Sequence, residues 1–310
     1  MPIEFRDLSF TYNLKSPLQS LALKGIDLLL EDHAFIAIVG RTGSGKSTLI
    51  QMINALLSPT RGYVDVNGFI NHPAKKEKMP KRLTAAEKAK FKAEQKRIYQ
   101  KHTSKDIKAL RKKVGLVFQF PEYQLFEDSV EKDVSFGPKN FGMKKEEALK
   151  VAHEALLRVG LDESFFQRSP FELSGGEKRK VAIAGILATS PDILVVDEPT
   201  AGLDPAAAKE TMTLFKKIEE NGTGIILVTH DMDLVASYAE KVVVMENGEV
   251  EKVCTPSELF GQDLTRYSLQ NPHIFDFALR LEKKGLDIDT SNMRNVDDLA
   301  NAIIRSKKNG

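Results

Sequence analysis

In the stretch Gly40-Arg41-Thr42-Gly43-Ser44-Gly45-Lys46-Ser47-Thr48, the first eight residues fit the spacing G-x-x-x-x-G-K-[ST] without a mismatch. The chemistry this pattern serves is the holding of a nucleoside triphosphate. Glycines let the chain turn so that backbone N–H groups converge on phosphate oxygens, and the N-terminus of a following helix adds partial positive charge. Lys46 then reaches the β- and γ-phosphates, and the Ser47 hydroxyl is placed to ligate Mg2+. Other reactive residues cluster at the ends of apolar runs. Asp197 and Glu198 close Ile193-Leu-Val-Val, and two adjacent acids there are costly unless a cation or reactant sits beside them. Gln119 follows Val114 to Phe118, and His230 follows Ile225 to Thr229. A polar residue at the carboxyl end of a parallel strand points into the ligand crevice of an open α/β sheet.

The segments that position these residues can be read from periodicity. Phe35 to Val39 reads as a buried parallel strand and Ser47 to Leu57 as the helix after it, so the glycine loop stands in the required strand-loop-helix order. Ile3 to Phe10, Gly25 to Leu30 and Gly62 to Val66 predict a small antiparallel sheet beside the parallel core. Tyr12, just after the first of these, offers a ring that either stacks on an adenine or packs internally. Val130 to Gly160 predicts helices punctuated by Gly137, Pro138 and Gly142. In Leu173-Ser174-Gly175-Gly176-Glu177, Ser174 is placed as N-cap of a helix from Glu177 to Ala188, a second glycine-rich helix start and a second anion site. Ala201 to Pro205, with Asp204, predicts a tight turn before a helix from Lys209 to Asn221. Val242 to Met245 is the last clear strand, with Asn247-Gly248 as its hairpin turn. From Thr255 onward, helical segments around Ile274 to Lys284 and Val296 to Ile304 predict a small appendage whose amphipathic faces need a surface to pack on.

Composition bounds the class. The chain has 310 residues, 42% of them apolar, enough for a substantial core. No apolar run approaches the roughly 18 residues of a membrane span, and the N-terminus lacks a signal-peptide pattern, so a cytoplasmic location is expected. The single cysteine, Cys254, reads as a small packed or edge residue. The net charge of +2 conceals an asymmetry: Lys75 to Lys113 holds 16 Lys or Arg against 4 acids, giving +12 there and −10 elsewhere. Thr84-Ala-Ala-Glu87 opens a helix in this stretch that runs to about Lys101, with a thin apolar stripe of Phe91, Ile98 and Tyr99. It therefore reads as an insertion over about residues 71–105, facing solvent or an anionic surface.

The order and spacing of Gly40 to Thr48, Gln119, Leu173 to Glu177, Asp197-Glu198, Asp204 and His230 resemble an ATP-binding cassette (ABC) ATPase over about Ile3 to Pro256. The resemblance implies an α/β P-loop fold with a RecA-like core, an antiparallel β subdomain and a helical subdomain at about 121–180, followed by the appendage at 257–310. It makes Gly40 to Ser47 the Walker A loop and Asp197 the Walker B acid, with Glu198 as the base for the attacking water. Gln119 would sense Mg2+ and the water, Tyr12 would occupy the adenine position, and His230 would contact the γ-phosphate. ATP and Mg2+ are the implied ligands, with Ser47, Gln119 and Asp197 around the metal. Ser174, Gly175, Gly176, Glu177 and Asp204 would face nucleotide across a dimer of two cassettes.

Phe120-Pro-Glu-Tyr-Gln-Leu-Phe126, Phe136-Gly-Pro138, Ser169-Pro-Phe-Glu-Leu-Ser174 and the helical tail are similar to the ATPases of energy-coupling factor transporters, in particular the second of their usual pair. That likeness implies a heterodimer with another such ATPase, a homodimer being the alternative, on the cytoplasmic face of the cell membrane. It also implies docking of a transmembrane scaffold subunit near Glu122, Tyr123, Gln124, Leu125 and Phe126, with separate substrate-binding membrane subunits for vitamins or metal ions. Two departures stand out: Glu177 where glutamine is commoner, and the long basic insertion. The competing reading is a soluble ABC-type ATPase that binds nucleic acid through that insertion. Such members usually carry two cassettes or a long coiled coil, and neither is present.

Overall fold

The computed structural model describes residues 1–31, 34–76, 78–80, 84–260, 263–290 and 293–309. Parts of the expected insertion (77 and 81–83) and of the expected appendage (261–262, 291–292 and 310) lie outside the described residues. The chain begins with β1 (Ile3–Tyr12), β2 (Ser20–Leu30), β3 (Phe35–Val39), α1 (Lys46–Ile53), β4 (Arg61–Val66) and β5 (Phe69–Asn71). The basic stretch follows as α2 (Ala85–Ile98) and α3 (Ser104–Lys113), leading into β6 (Val114–Val117). Helices α4 (Val130–Asn140), α5 (Lys145–Arg158) and α6 (Gly175–Leu187) then precede β7 (Ile193–Asp197), α7 (Pro205–Glu220), β8 (Gly224–Val228), α8 (Met232–Tyr238), β9 (Lys241–Glu246) and β10 (Glu249–Cys254). The tail holds α9 (Pro256–Phe260), α10 (His273–Glu282) and α11 (Val296–Asn309).

Two sheets result. One has the order β2-β1-β4-β5 and is antiparallel; the other has six strands in the order β10-β9-β3-β8-β7-β6. In the second, β9, β3, β8, β7 and β6 are parallel and only the edge strand β10 is antiparallel. Strands buried on both faces must be apolar throughout, and β3 and β8 are buried at every position. Ile36 and Ile38 of β3 face a cluster with the antiparallel sheet and with Leu49 and Ile50 of α1. On the opposite face, Leu194, Val196 and Leu227 meet Val134, Leu156 and Val181 of α4 to α6, together with Phe215 of α7. Ala37, Val39, Val242 and Val244 meet the tail residues Phe260, Tyr267, Phe275 and Leu299, so the tail shares one apolar cluster with the core sheet. Cys254 is buried in that cluster.

Several boundaries differ from the sequence expectation for local reasons. α1 stops at Ile53 because the backbone turns left-handed at Ala55 (φ +53°) and Leu56 N and Leu57 N fold back onto Gln51 O (3.0 and 3.1 Å); Asn71 Nδ2 donates to Met52 O (2.8 Å), and Arg111 donates to the carbonyls just past the helix, Asn54 O and Ala55 O (3.3 and 3.1 Å). α7 starts at Pro205 rather than Lys209, since Asp204 caps it and proline is well suited to a first helical position. Pro138 lies inside α4 rather than ending it, within the last turn. Asn247-Gly248 returns the chain into β10, an edge strand half of whose residues are polar and which was not anticipated. In the insertion, the capping box of Thr84 and Glu87 is present, and a second one, Thr103 with Asp106, opens α3. Arg97 bonds Asp65 of β4 at 3.1 Å, so part of the basic charge is spent within the chain.

Candidate functional site

The glycine loop turns from β3 into α1 with its tightest approach at Gly40. Its φ is +147°, and a Cβ there would lie 2.1 Å from the carbonyl oxygen of Met245. Only glycine fits that contact. The β9–β10 turn braces the loop from outside: Gly248 N donates to Ser44 O at 3.1 Å, and Arg41 Nη2 donates to Asn247 Oδ1 at 3.1 Å. Lys46 is buried, and its ammonium donates to Gly40 O (2.6 Å) and Arg41 O (3.1 Å). Burial holds its pKa below the ordinary value, against the pull of Glu198 and Asp197. The Ser44 hydroxyl in the glycine loop is buried with no hydrogen-bond partner, an orphan polar atom. A phosphate oxygen would satisfy it.

Asp197 ends β7 and accepts a hydrogen bond from the Ser47 side chain; burial raises its pKa, Glu198 adds to that, and Ser47 and Lys46 oppose it. Glu198 follows with φ +48°, a left-handed backbone uncommon for a residue with a side chain. Its N–H donates to Val228 O at 2.9 Å, and His230 Nδ1 lies 2.7 Å from Oε1. The His230 side chain is 77% exposed. Tyr12 donates or accepts at Thr48 Oγ1 (3.1 Å) and stands edge-on to Phe10, so its half-exposed ring is fixed beside the loop.

The structure thus brings together Tyr12, Gly40 to Thr48, Asp197, Glu198 and His230. Gln119 is exposed, two residues beyond the end of β6. Ser174 to Glu177 form a separate capping box at the start of α6: Glu177 N donates to Ser174 Oγ (3.4 Å), and the Ser174 N–H and hydroxyl donate to Glu177 Oε2 (2.7 Å each). Those bonds hold the Glu177 carboxyl below its usual range. Asp204 Oδ1 accepts from Ala206 N and Ala207 N, the cap of α7.

The stretch Glu122 to Phe126 divides. Tyr123, Gln124 and Phe126 are exposed, whereas Leu125 is buried and Glu122 turns inward to Arg179. Within the stretch near which docking is expected, Glu122 answers a buried cation and Leu125 joins the core cluster of α4 and α5, so the exposed side chains are the other three. Asp133 fixes the loop by accepting from Phe126 N and Glu127 N (2.8 and 2.9 Å). Arg179 and Asn247 were missed in the sequence. No local signal marked the first, and the hairpin signal marked the second without its contact to the loop.

A P-loop between a buried parallel strand and a helix, with two acids at the end of a nearby strand, defines a nucleoside-triphosphate-binding protein of the P-loop class. A family model described as "ABC transporter" matches residues 23–201. The chain is 45% identical over 309 residues to the energy-coupling factor transporter ATP-binding protein EcfA2 of Spiroplasma kunkelii, covering 99% of this chain and 93% of the relative. It is 48% identical over 289 residues to the protein of the same name from Streptococcus pneumoniae D39, covering 92% and 94%. Among solved structures, cbiO1 of Clostridium perfringens, part of the ABC transporter complex cbiONQ, superposes with TM-score 0.68 at 34% identity, covering 91% of this chain and 96% of that one. The cassette MJ0796, dimeric in a post-hydrolysis state with ADP and Pi, gives TM-score 0.63 at 29% identity, covering 82% and 98%. The chain belongs to the ABC transporter ATPases, among the energy-coupling factor transporter ATP-binding proteins. No helix among the described residues is long and apolar enough to cross a membrane.

Proposed function

We propose that this ATPase, paired with a second cassette of its kind beneath a transmembrane scaffold subunit on the cytoplasmic face, powers uptake of vitamins or other micronutrients through separate substrate-binding subunits. The observation that carries the catalytic reading is the convergence of Lys46, the Ser47–Asp197 hydrogen bond and the Glu198–His230 pair at the ends of adjacent strands. The residues present suit Mg2+ with ATP. No group of three or more His, Cys, Asp or Glu among the described residues could hold a metal ion alone. A cation here depends on phosphate oxygens, as Mg2+ characteristically does. Ser47, Asp197 and Gln119 would hold it, and its charge would offset that on the β- and γ-phosphates.

The chain's own groups do the rest. Lys46 and the loop amides bind the phosphates, the Ser44 hydroxyl takes an oxygen, and the Tyr12 ring stacks beside the base. Glu198 accepts the proton of the attacking water, oriented by His230, whose exposed ring also meets the γ-phosphate. Because the transition state of phosphoryl transfer is loose, most acceleration comes from donors fixed where charge develops. Ser174, Gly175, Gly176, Glu177 and Asp204 act on nucleotide held by the partner cassette, a reading supported by the dimeric form of MJ0796. Tyr123, Gln124 and Phe126, with the exposed ring of Phe136 edge-on to Phe126 at 5.0 Å, form the scaffold-docking face.

Glu198→Gln tests the base. ATP binding is retained while turnover falls about 10²- to 10⁴-fold, the usual range for a lost general base. Undiminished hydrolysis refutes the assignment. Phe126→Ala tests docking better than a change at Glu122, which would break a buried ion pair; it should lower assembly with membrane subunits and leave ATP affinity intact.

A further inference from the structure

A buried cation joins three parts of the chain that the phosphate site does not itself connect. Arg179 of α6 is 4% exposed. Its Nε and Nη2 donate to Glu122 Oε2 and Oε1 at 3.1 and 2.9 Å. Its Nη1 donates to Pro199 O and Ala201 O at 3.2 and 3.1 Å, and Nη2 also reaches Ala201 O at 3.1 Å. The guanidinium lies 5.9 Å from the ring centre of Phe120. That ring packs on Gly202, where a Cβ would come within 3.2 Å of it. A planar fork is required for this set of acceptors; a lysine ammonium is a point charge and cannot replace it.

The contacts have a direction. Glu122 stands between Gln119 and the exposed rings of Tyr123 and Phe126. Pro199 and Ala201 lie in the turn immediately after Glu198, whose backbone is left-handed; Ala201 N closes the turn on Glu198 O at 3.1 Å. A bidentate pair in a packed interior is held in discrete arrangements rather than deformed continuously. Any displacement of the aromatic loop therefore moves Glu122, then Arg179, then the turn that aims Glu198.

We propose that Arg179 is a positioning residue for ATP hydrolysis, transmitting the state of the Phe120 to Phe126 loop to the Glu198 turn, so that the docking face and the phosphate site change together. This rests on the roles given above to Glu198 and to the docking face.

The chain has no tryptophan, so Tyr123→Trp places a single fluorescent reporter on the loop of the full-length protein. Magnesium with the non-hydrolysable analogue AMP-PNP should shift its emission. In the Arg179→Lys background the shift should be lost, while calorimetry finds AMP-PNP bound within about threefold of the parent affinity, since binding and turnover are separable. In the chain without the reporter, Arg179→Lys should lower kcat about 10- to 100-fold with KM little changed, the scale expected of a misplacement of about 1 Å. A merely structural role would move kcat and KM together and lower the unfolding midpoint. An undiminished shift in Arg179→Lys, or no shift in its parent, overturns the proposal. Should Arg179→Lys fail to fold, Glu122→Gln keeps one acceptor and should give partial losses of shift and kcat; both unchanged would overturn it. Failure of the unaltered chain to bind AMP-PNP would instead refute the reading of the phosphate site, and the proposal with it.

Discussion

The Asp197 carboxyl carries a charge that the nucleotide-free chain holds at a cost. Burial raises its pKa above the ordinary 3.8, so the folded state binds more protons than the unfolded one, and stability declines as pH rises through and above that value. Asp197→Asn removes the charge while keeping the shape. Its unfolding midpoint without nucleotide should rise by a few degrees at neutral pH, and the further rise on adding Mg2+ and ATP should disappear; thermal unfolding with and without the ligands measures both. Lys46, Ser47, Asp197 and Glu198 were legible in the sequence because each belongs to a contiguous motif or ends an apolar run. Arg179 was not, because its meaning lies in Glu122, 57 residues away, and nothing local distinguishes a surface arginine from a buried one. The same holds for Asn247, 206 residues from the Arg41 it meets.

Among the elements, the parallel strands were readable to within a residue or so, since burial on both faces leaves uninterrupted apolar runs. Edge and insertion elements were harder. β10 mixes exposed and buried positions, and α3 is so rich in Lys that only its cap marks it. That cap has a consequence beyond α3, because Arg111 near the helix end donates to Asn54 O and Ala55 O, the carbonyls just past α1, which carries Lys46 and Ser47. Thr103→Ala removes the hydroxyl that accepts from Asp106 N. It should cost about 1 kcal/mol of unfolding free energy, with amide exchange accelerated in α3 and at the carboxyl end of α1, and with the glycine loop unchanged. Hydrogen exchange resolves these segments; an effect confined to residues before Thr103 would contradict the account.

At the scale of the molecule, the tail is joined to the core by apolar packing and by a titratable clasp. His273 N and its ring Nδ1 bond the two carboxylate oxygens of Asp233 in α8, and the Ser237 hydroxyl donates to Arg294 O at 3.2 Å. The Asp233 partnership raises the His273 pKa above its ordinary 6.5, with smaller contributions from Asp231 and Asp276. A raised imidazole stabilises in its charged form, so the clasp is complete below 6.5 and is lost as pH climbs through the higher folded value. Exchange of α10 amides, corrected for its intrinsic pH dependence, should accelerate across that interval, and His273→Gln should abolish the pH response.

The buried Cys254 lies beneath this tail, on β10 and in the same cluster as Phe260 and Phe275. Burial pushes its thiol pKa up, and only the exposed thiolate reacts with alkylating reagents. As the single cysteine of the chain, it makes the native protein its own labelling-rate gauge: the speed of modification, set against an unfolded control at the same pH, reports how often the tail lifts from the sheet.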